Sequence, residues 1–184
     1  MGKTLCVSGH RPVGLPWYKE EYNQEEHNEF TATLTEYIRF AIANGFSHFI
    51  AGGALGVDTD FALCVLSLKK RGEKITLEIA VPCEGQDNYY CNEDKAVYNF
   101  ILQHADKVTV LSDKYYRFCM QKRNEYMVEK SDALLACWNG TKRGGTYSTI
   151  KLAQRQGKDF LLIDLSENAE NGGNQLIYFR NKLK

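Results

Sequence analysis

The stretch Phe46-Ser47-His48-Phe49-Ile50-Ala51-Gly52-Gly53-Ala54-Leu55-Gly56-Val57-Asp58 runs from a short apolar segment into a glycine-rich corner, and Phe61-Ala62-Leu63-Cys64-Val65-Leu66 follows directly. An apolar run that stops at glycines and resumes as a longer apolar segment reads as strand, turn and helix. The helix is apolar almost all round, so it needs sheet on one side and another element on the other. Further strand-like runs lie at Thr4 to Ser8, Ile75 to Val81, Lys107 to Leu111, Ala133 to Trp138 and Phe160 to Asp164. The segments between them have room for roughly two to five helical turns. Strands alternating with helices at this spacing predict an α/β fold, a three-layer Rossmann-like sandwich with a mainly parallel central sheet.

The intervening segments carry helical patterning. Phe30, Leu34, Tyr37, Ile38, Ala41 and Ile42 recur on one stripe while Glu29, Glu36 and Arg39 fall elsewhere, and Asn44-Gly45 supplies a stop. The acidic run Glu20, Glu21, Glu25, Glu26 suits the positive end of that helix. Glu167 to Asn174 reads as a polar turn, and Leu176 to Phe179 as an edge strand or a docking tail.

With 184 residues, 43% of them hydrophobic, and no linker or repeat, the chain is expected to form one domain over 1–184. No apolar run approaches the roughly 18 residues of a membrane span. The first residues enter a strand without an export-signal pattern, so a cytoplasmic location is expected. Cys6, Cys64, Cys83, Cys91, Cys119 and Cys137 form no C-x-x-C pair and are read as reduced, structural thiols. His10, His27, His48 and His104 lack zinc-ligand spacing, so neither metal nor cofactor is expected. The 23 basic residues balance 23 acidic ones, which gives no general field for nucleic acid.

In an open parallel sheet, ligands sit beyond the carboxyl ends of the strands. The loops to inspect are therefore Ser8-Gly9-His10-Arg11-Pro12, Ala51 to Asp58, Pro82-Cys83-Glu84-Gly85-Gln86, and Trp138 to Thr146. The second and last share one design, in which glycines precede a helix whose free amides and positive end suit phosphate. Backbone amides at Gly52, Gly53, Gly144, Gly145 and Thr146 are the candidate phosphate contacts, with Gly9, Ala54 and Gly56 as further ligand-binding candidates. Arg11 can add a planar fork of donors, and His10 either donates to phosphate or orients its loop. Asp58 either caps its helix or meets a ribose, and Glu84 and Gln86 are further ribose candidates. Tyr89, Tyr90 and Trp138 offer stacking surfaces for a purine, with core packing as the alternative for Trp138. Neither G-x-x-x-x-G-K-[ST] nor G-x-G-x-x-G is present.

Taken in order, Gly9-His10-Arg11-Pro12, Ala51 to Asp58, Arg123-Asn124 with Met127, Ser131-Asp132, and Gly144-Gly145-Thr146 resemble the SLOG superfamily of Rossmann-like proteins, and within it the YpsA-like branch. The resemblance runs from about Thr4 to about Asp164. It implies a nucleotide derivative, ADP-ribose-like or a nucleotide sugar, held at these loops, with the Arg123 guanidinium on phosphate and Met127 packed beneath. The superfamily also contains the Lonely Guy phosphoribohydrolases, whose glycine motif is followed by a catalytic acid. Here Tyr147, Ser148 and Thr149 stand at the following positions.

The leading expectation is thus a protein that senses or sequesters a phosphorylated nucleotide derivative. An N-glycosidic hydrolase is the alternative, with Glu84 or Asp58 as the acid. Single-stranded nucleic acid is a disfavoured third partner. Its one qualifying stretch, Lys114-Tyr115-Tyr116-Arg117-Phe118 with Lys122-Arg123, is expected to open a helix and turn its aromatics into the core. The long first loop and the terminal stub are open to homo-oligomer contacts. Replacing Arg123 with alanine is expected to weaken binding and leave the melting temperature nearly unchanged.

Overall fold

Among the described residues, six strands alternate with five α-helices as the sequence pattern predicts, and a seventh strand follows. The computed structural model describes residues 2–19, 21–166 and 177–179, the last three by backbone alone. The chain runs β1 (Lys3–Ser8), α1 (Gln24–Ala43), β2 (Phe46–Ala51), α2 (Val57–Lys70), β3 (Thr76–Val81), α3 (Asn92–His104), β4 (Lys107–Val110), α4 (Cys119–Glu129), β5 (Ala133–Trp138), α5 (Gly144–Arg155), β6 (Asp159–Asp164) and β7 (Ile177–Phe179). The expected strands are all present, with ends displaced by a residue at most. Glu20 and residues 167–176 lie outside the described residues.

The spatial order is β4-β3-β2-β1-β5-β6-β7. Six strands are parallel, and β7 closes the sheet antiparallel to β6, so the terminal stub is an edge strand. The chain moves outward from β1 to β4, then returns to lay β5 against the other side of β1. Right-handed crossovers put α1, α2 and α3 on one face and α4 and α5 on the other. The direction of winding therefore reverses between β1 and β5, and a crevice must open there at the carboxyl ends.

Alternation along the strands feeds two cores. On β1, Leu5 and Val7 join the larger core with Phe49, Phe61 and Leu77, while Cys6 enters the smaller one with Ile50, Met127 and Ile150. Helix α2 packs against β1, β2 and β3 and lies between α1 and α3, which explains its apolar circumference. Helix α1 buries Phe30, Leu34, Tyr37, Ile38 and Ala41 and is capped by the Asn23 side chain, which accepts from the Glu26 amide at 3.2 Å.

Where α4 crosses β3, a polar cluster sits on the sheet. Glu78, buried on β3, accepts hydrogen bonds from Thr109 and the Tyr126 hydroxyl at 2.7 Å each and from Lys107 at 3.1 Å, and pairs with His48 at 3.1 Å. Burial favours its neutral form, but these partners outweigh that and hold its pKa down at about 2. The cysteines are free, and all but Cys91 are buried; burial pushes the Cys6 thiol up to about 12. No helix of the described residues is long and apolar enough to cross a membrane.

Candidate functional site

At the crevice between β1 and β5 lies a cleft of about 370 Å³. One wall is the end of β1 with its loop, from Val7 to Arg11 with Val13 and Gly14. A second is Ala54 and Asp58 of the β2–α2 corner. Met120, Arg123 and Asn124 come from α4, and Gly145 and Thr146 from the start of α5. The two glycine corners thus face one common space.

Arg123 is the centre of the arrangement and is only 7% exposed. Its Nε donates to Asn124 Oδ1 at 2.8 Å, and its Nη1 donates to the Gly52 carbonyl and faces Asp58 Oδ2 at 3.4 Å. The guanidinium fills the space a side chain at position 52 would need: a Cβ there would lie 1.8 Å from Nη1. Asp58 also accepts from the Ala54 amide at 3.3 Å. Burial raises its pKa, and the Arg123 charge with the Ala54 and Gly52 amides opposes the rise.

The first loop is keyed into both glycine corners by its backbone and by His10. The His10 carbonyl accepts from the Val57 amide at 3.2 Å, and at Gly56 (φ +89°) a Cβ would come within 2.6 Å of that same oxygen. His10 Nε2 accepts from the Asn139 amide at 3.2 Å, which ties the β1 loop to the β5 loop. Burial lowers the pKa of His10, in keeping with a neutral, accepting ring nitrogen. Arg11, beside it, is exposed on the cleft wall with its guanidinium available.

The start of α5 is open. Its N-cap, Arg143, makes no side-chain cap, and its first turn carries no acidic residue. The first-turn amides are therefore left for solvent or a ligand. Asn124 fixes this corner relative to the arginine: its Nδ2 donates to Thr149 Oγ1 at 3.0 Å, and that hydroxyl donates to the Gly145 carbonyl at 2.8 Å.

Of the residues singled out from sequence, Gly9, His10, Arg11, Ala54, Asp58, Arg123, Gly145 and Thr146 line the cleft. Gly52, Gly53, Gly56, Gly144, Glu84 and Gln86 do not. Gly52 and Gly53 are buried, and Gln86 Nε2 donates to their carbonyls at 3.3 and 2.7 Å, so Gln86 braces the corner from behind. Glu84 is exposed in the β3 loop, with its amide bonded to Ser112. Tyr90 reaches the Gly53 carbonyl, Tyr89 is fully exposed, and Trp138 stacks on Tyr147 while donating to the Thr141 carbonyl at 2.9 Å. The aromatics expected in the core beside Lys114 are instead exposed: Tyr115, Tyr116 and Phe118 precede α4, where no helical turn directs them inward. Met120 was not among the sequence candidates, and Asn124 entered only as part of the Arg123-Asn124 motif, although their four-residue spacing sets them on one helix face beside Arg123.

The family model described as the YspA SLOG family matches residues 5–167. The SPbeta prophage-derived protein YoqJ of Bacillus subtilis (strain 168) is 39% identical over 119 residues, which cover 58% of this chain and 69% of that protein. A UPF0398 protein of Bacillus thuringiensis (strain Al Hakam) is 26% identical over 158 residues, 85% of each chain.

Proposed function

We propose that this chain, which belongs to the YspA SLOG family, binds a phosphorylated nucleotide derivative in the β1–β5 cleft, to sense or to sequester it. The convergence of the uncapped α5 start, buried Arg123 and exposed Arg11 on one cleft carries the reading. Phosphate would sit against the α5 amides with the Arg11 guanidinium closing over it. Arg123, held by Asn124 and Asp58, would supply a fixed positive charge from below. The volume falls within the range of small-molecule sites.

Binding without turnover is favoured by Thr149. With Tyr147 and Ser148 it occupies the positions where the resemblance to phosphoribohydrolases places an acid, none of the three is a carboxylic acid, and the Thr149 hydroxyl is committed to Asn124 and the Gly145 carbonyl. Isothermal titration with ADP-ribose is expected to give saturable, one-to-one binding that Arg11→Ala weakens about tenfold. Native mass spectrometry of freshly purified protein would show any co-purifying ligand by its mass. Failure to bind ADP-ribose, nucleoside monophosphates and nucleotide sugars alike would overturn the reading.

A second reading, N-glycosidic hydrolysis, rests on Asp58, a carboxyl group that lines the cleft and whose pKa burial raises. Glu84, outside the cleft, does not support it. Chromatography of nucleoside monophosphates and ADP-ribose after incubation separates the two, because free base with ribose phosphate would replace binding by turnover.

A further inference from the structure

The cleft does not end at Asn124. A groove of about 460 Å³ runs on between α4 and α5, and Met120, Asn124 and Gly145 belong to both spaces. A molecule seated at the α5 start therefore has a second space next to it, along the same helix.

The walls of the groove differ in charge. On the α5 side are Lys151 and Arg155, four residues apart and both exposed. Among the described residues no carboxylate pairs with either. On the α4 side are Gln121 and Glu125, and the Glu125 carboxylate takes Gln121 at 3.3 Å and Lys122 at 3.4 Å. A rise of about 1.5 Å per residue sets Lys151 about 9 Å, and Arg155 about 15 Å, beyond Gly145 along α5. Helical side chains lean back towards the N-terminus, which brings the Lys151 ammonium nearer the cleft.

From this we infer that the ligand carries a second phosphate, separate from the one gripped at the α5 start, and that the α4–α5 groove receives it against Lys151 and Arg155. The inference rests on the nucleotide-binding reading and narrows it to nucleotides with an additional phosphate monoester. The two walls also set the orientation. Hydroxyls face Gln121 and Glu125, which can donate to and accept from them, and the dianion faces the two cations. A neutral sugar end would leave Lys151 and Arg155 without a partner, whereas a phosphate monoester meets both.

The test compares ADP-ribose with 2′-phospho-ADP-ribose by calorimetric titration, using the wild-type protein and the Lys151→Gln/Arg155→Gln variant. The phosphorylated probe is expected to bind at least tenfold more tightly to the wild type. The variant should lose that advantage and keep its affinity for ADP-ribose, and Lys151→Glu should reverse the preference. Equal affinities in the wild type would overturn this inference alone and leave the nucleotide-binding reading standing. Binding of neither probe, with mononucleotides and nucleotide sugars also failing, would remove both. A change in sedimentation coefficient in the variant, with the affinity ratio unchanged, would mark the groove as a contact between copies of this chain and also overturn the inference.

Discussion

Arg123 and Asp58 are each about nine-tenths buried and face each other at 3.4 Å, so neither can be treated as a surface group. Removing the arginine leaves a carboxylate without its cation, and breaking a buried pair in this way typically costs about 3 kcal/mol. Arg123→Ala is therefore expected to lower the melting temperature measurably, contrary to the sequence-based expectation of little change. The Arg123→Ala/Asp58→Asn double variant should recover most of that loss in thermal denaturation while remaining defective in ADP-ribose binding. An unchanged melting temperature in the single variant would count against the buried pair. Glu78 gives a second residue-scale prediction. Its folded pKa, about 2, lies below the ordinary value of 4.5, so the stabilisation it provides is complete above pH 4.5. It is lost as the pH falls from there towards 2, and is worth about 3 kcal/mol at full extent. Glu78→Gln should flatten the dependence of unfolding free energy on pH in that window, read by urea titrations at stepped pH.

At the scale of elements, the segment between β1 and α1 acts as a strap that carries Arg11 and Val13 over the cleft. Two short 3-10 turns, Pro12–Gly14 and Pro16–Tyr18, shape it, and Leu15 and Trp17 anchor it in the core. Trp17 stacks on His27 and on Phe30, and His27 pairs with Asp60 of α2 at 3.0 Å. Burial raises the pKa of Asp60, and the His27 charge opposes the rise; the pair joins α1 to α2, the helix behind the second glycine corner, and the Trp17–His27 stack ties the strap to it. His27→Ala removes the stacking partner of Trp17 and the counter-group of a buried carboxylate. It is expected to cost about 2 kcal/mol and to speed amide hydrogen exchange in residues 12–18 more than in β1 or β5. Uniform exchange across these segments would mean that the strap is held by other contacts.

For the whole molecule, the site joins pieces far apart in the chain, so a ligand that bridges them should stabilise the fold globally. At a free concentration one hundred times its dissociation constant, a ligand adds about 2.7 kcal/mol, which for a chain of this size is a rise of roughly 5 to 10 °C in melting temperature. Differential scanning fluorimetry with ADP-ribose should show such a rise, smaller in Arg11→Ala. A nucleotide that binds by titration yet leaves the melting temperature unchanged would have to bind the unfolded chain equally well, which a site assembled from distant pieces does not allow.

Periodicity alone determined the layered α/β architecture, because strands buried on both faces read as unbroken apolar runs and helices as stripes, and both are local properties of the chain. The same local signals picked out the loops after β1, β2 and β5, since glycines between a strand and a helix are visible without any tertiary contact. What those glycines do was not legible. Gly52 exists to admit the guanidinium of Arg123, seventy-one residues away, and Gly56 to admit the His10 carbonyl, so their roles depend on which distant group arrives. Gln86 and Glu84 looked alike as polar loop residues, and only the fold turned one onto the carbonyls of Gly52 and Gly53 and left the other in solvent. The exposed aromatics before α4 and the groove running from the cleft towards Lys151 were likewise decided by packing, because a side chain's direction and the space between two helices are set by neighbours that sequence spacing does not name.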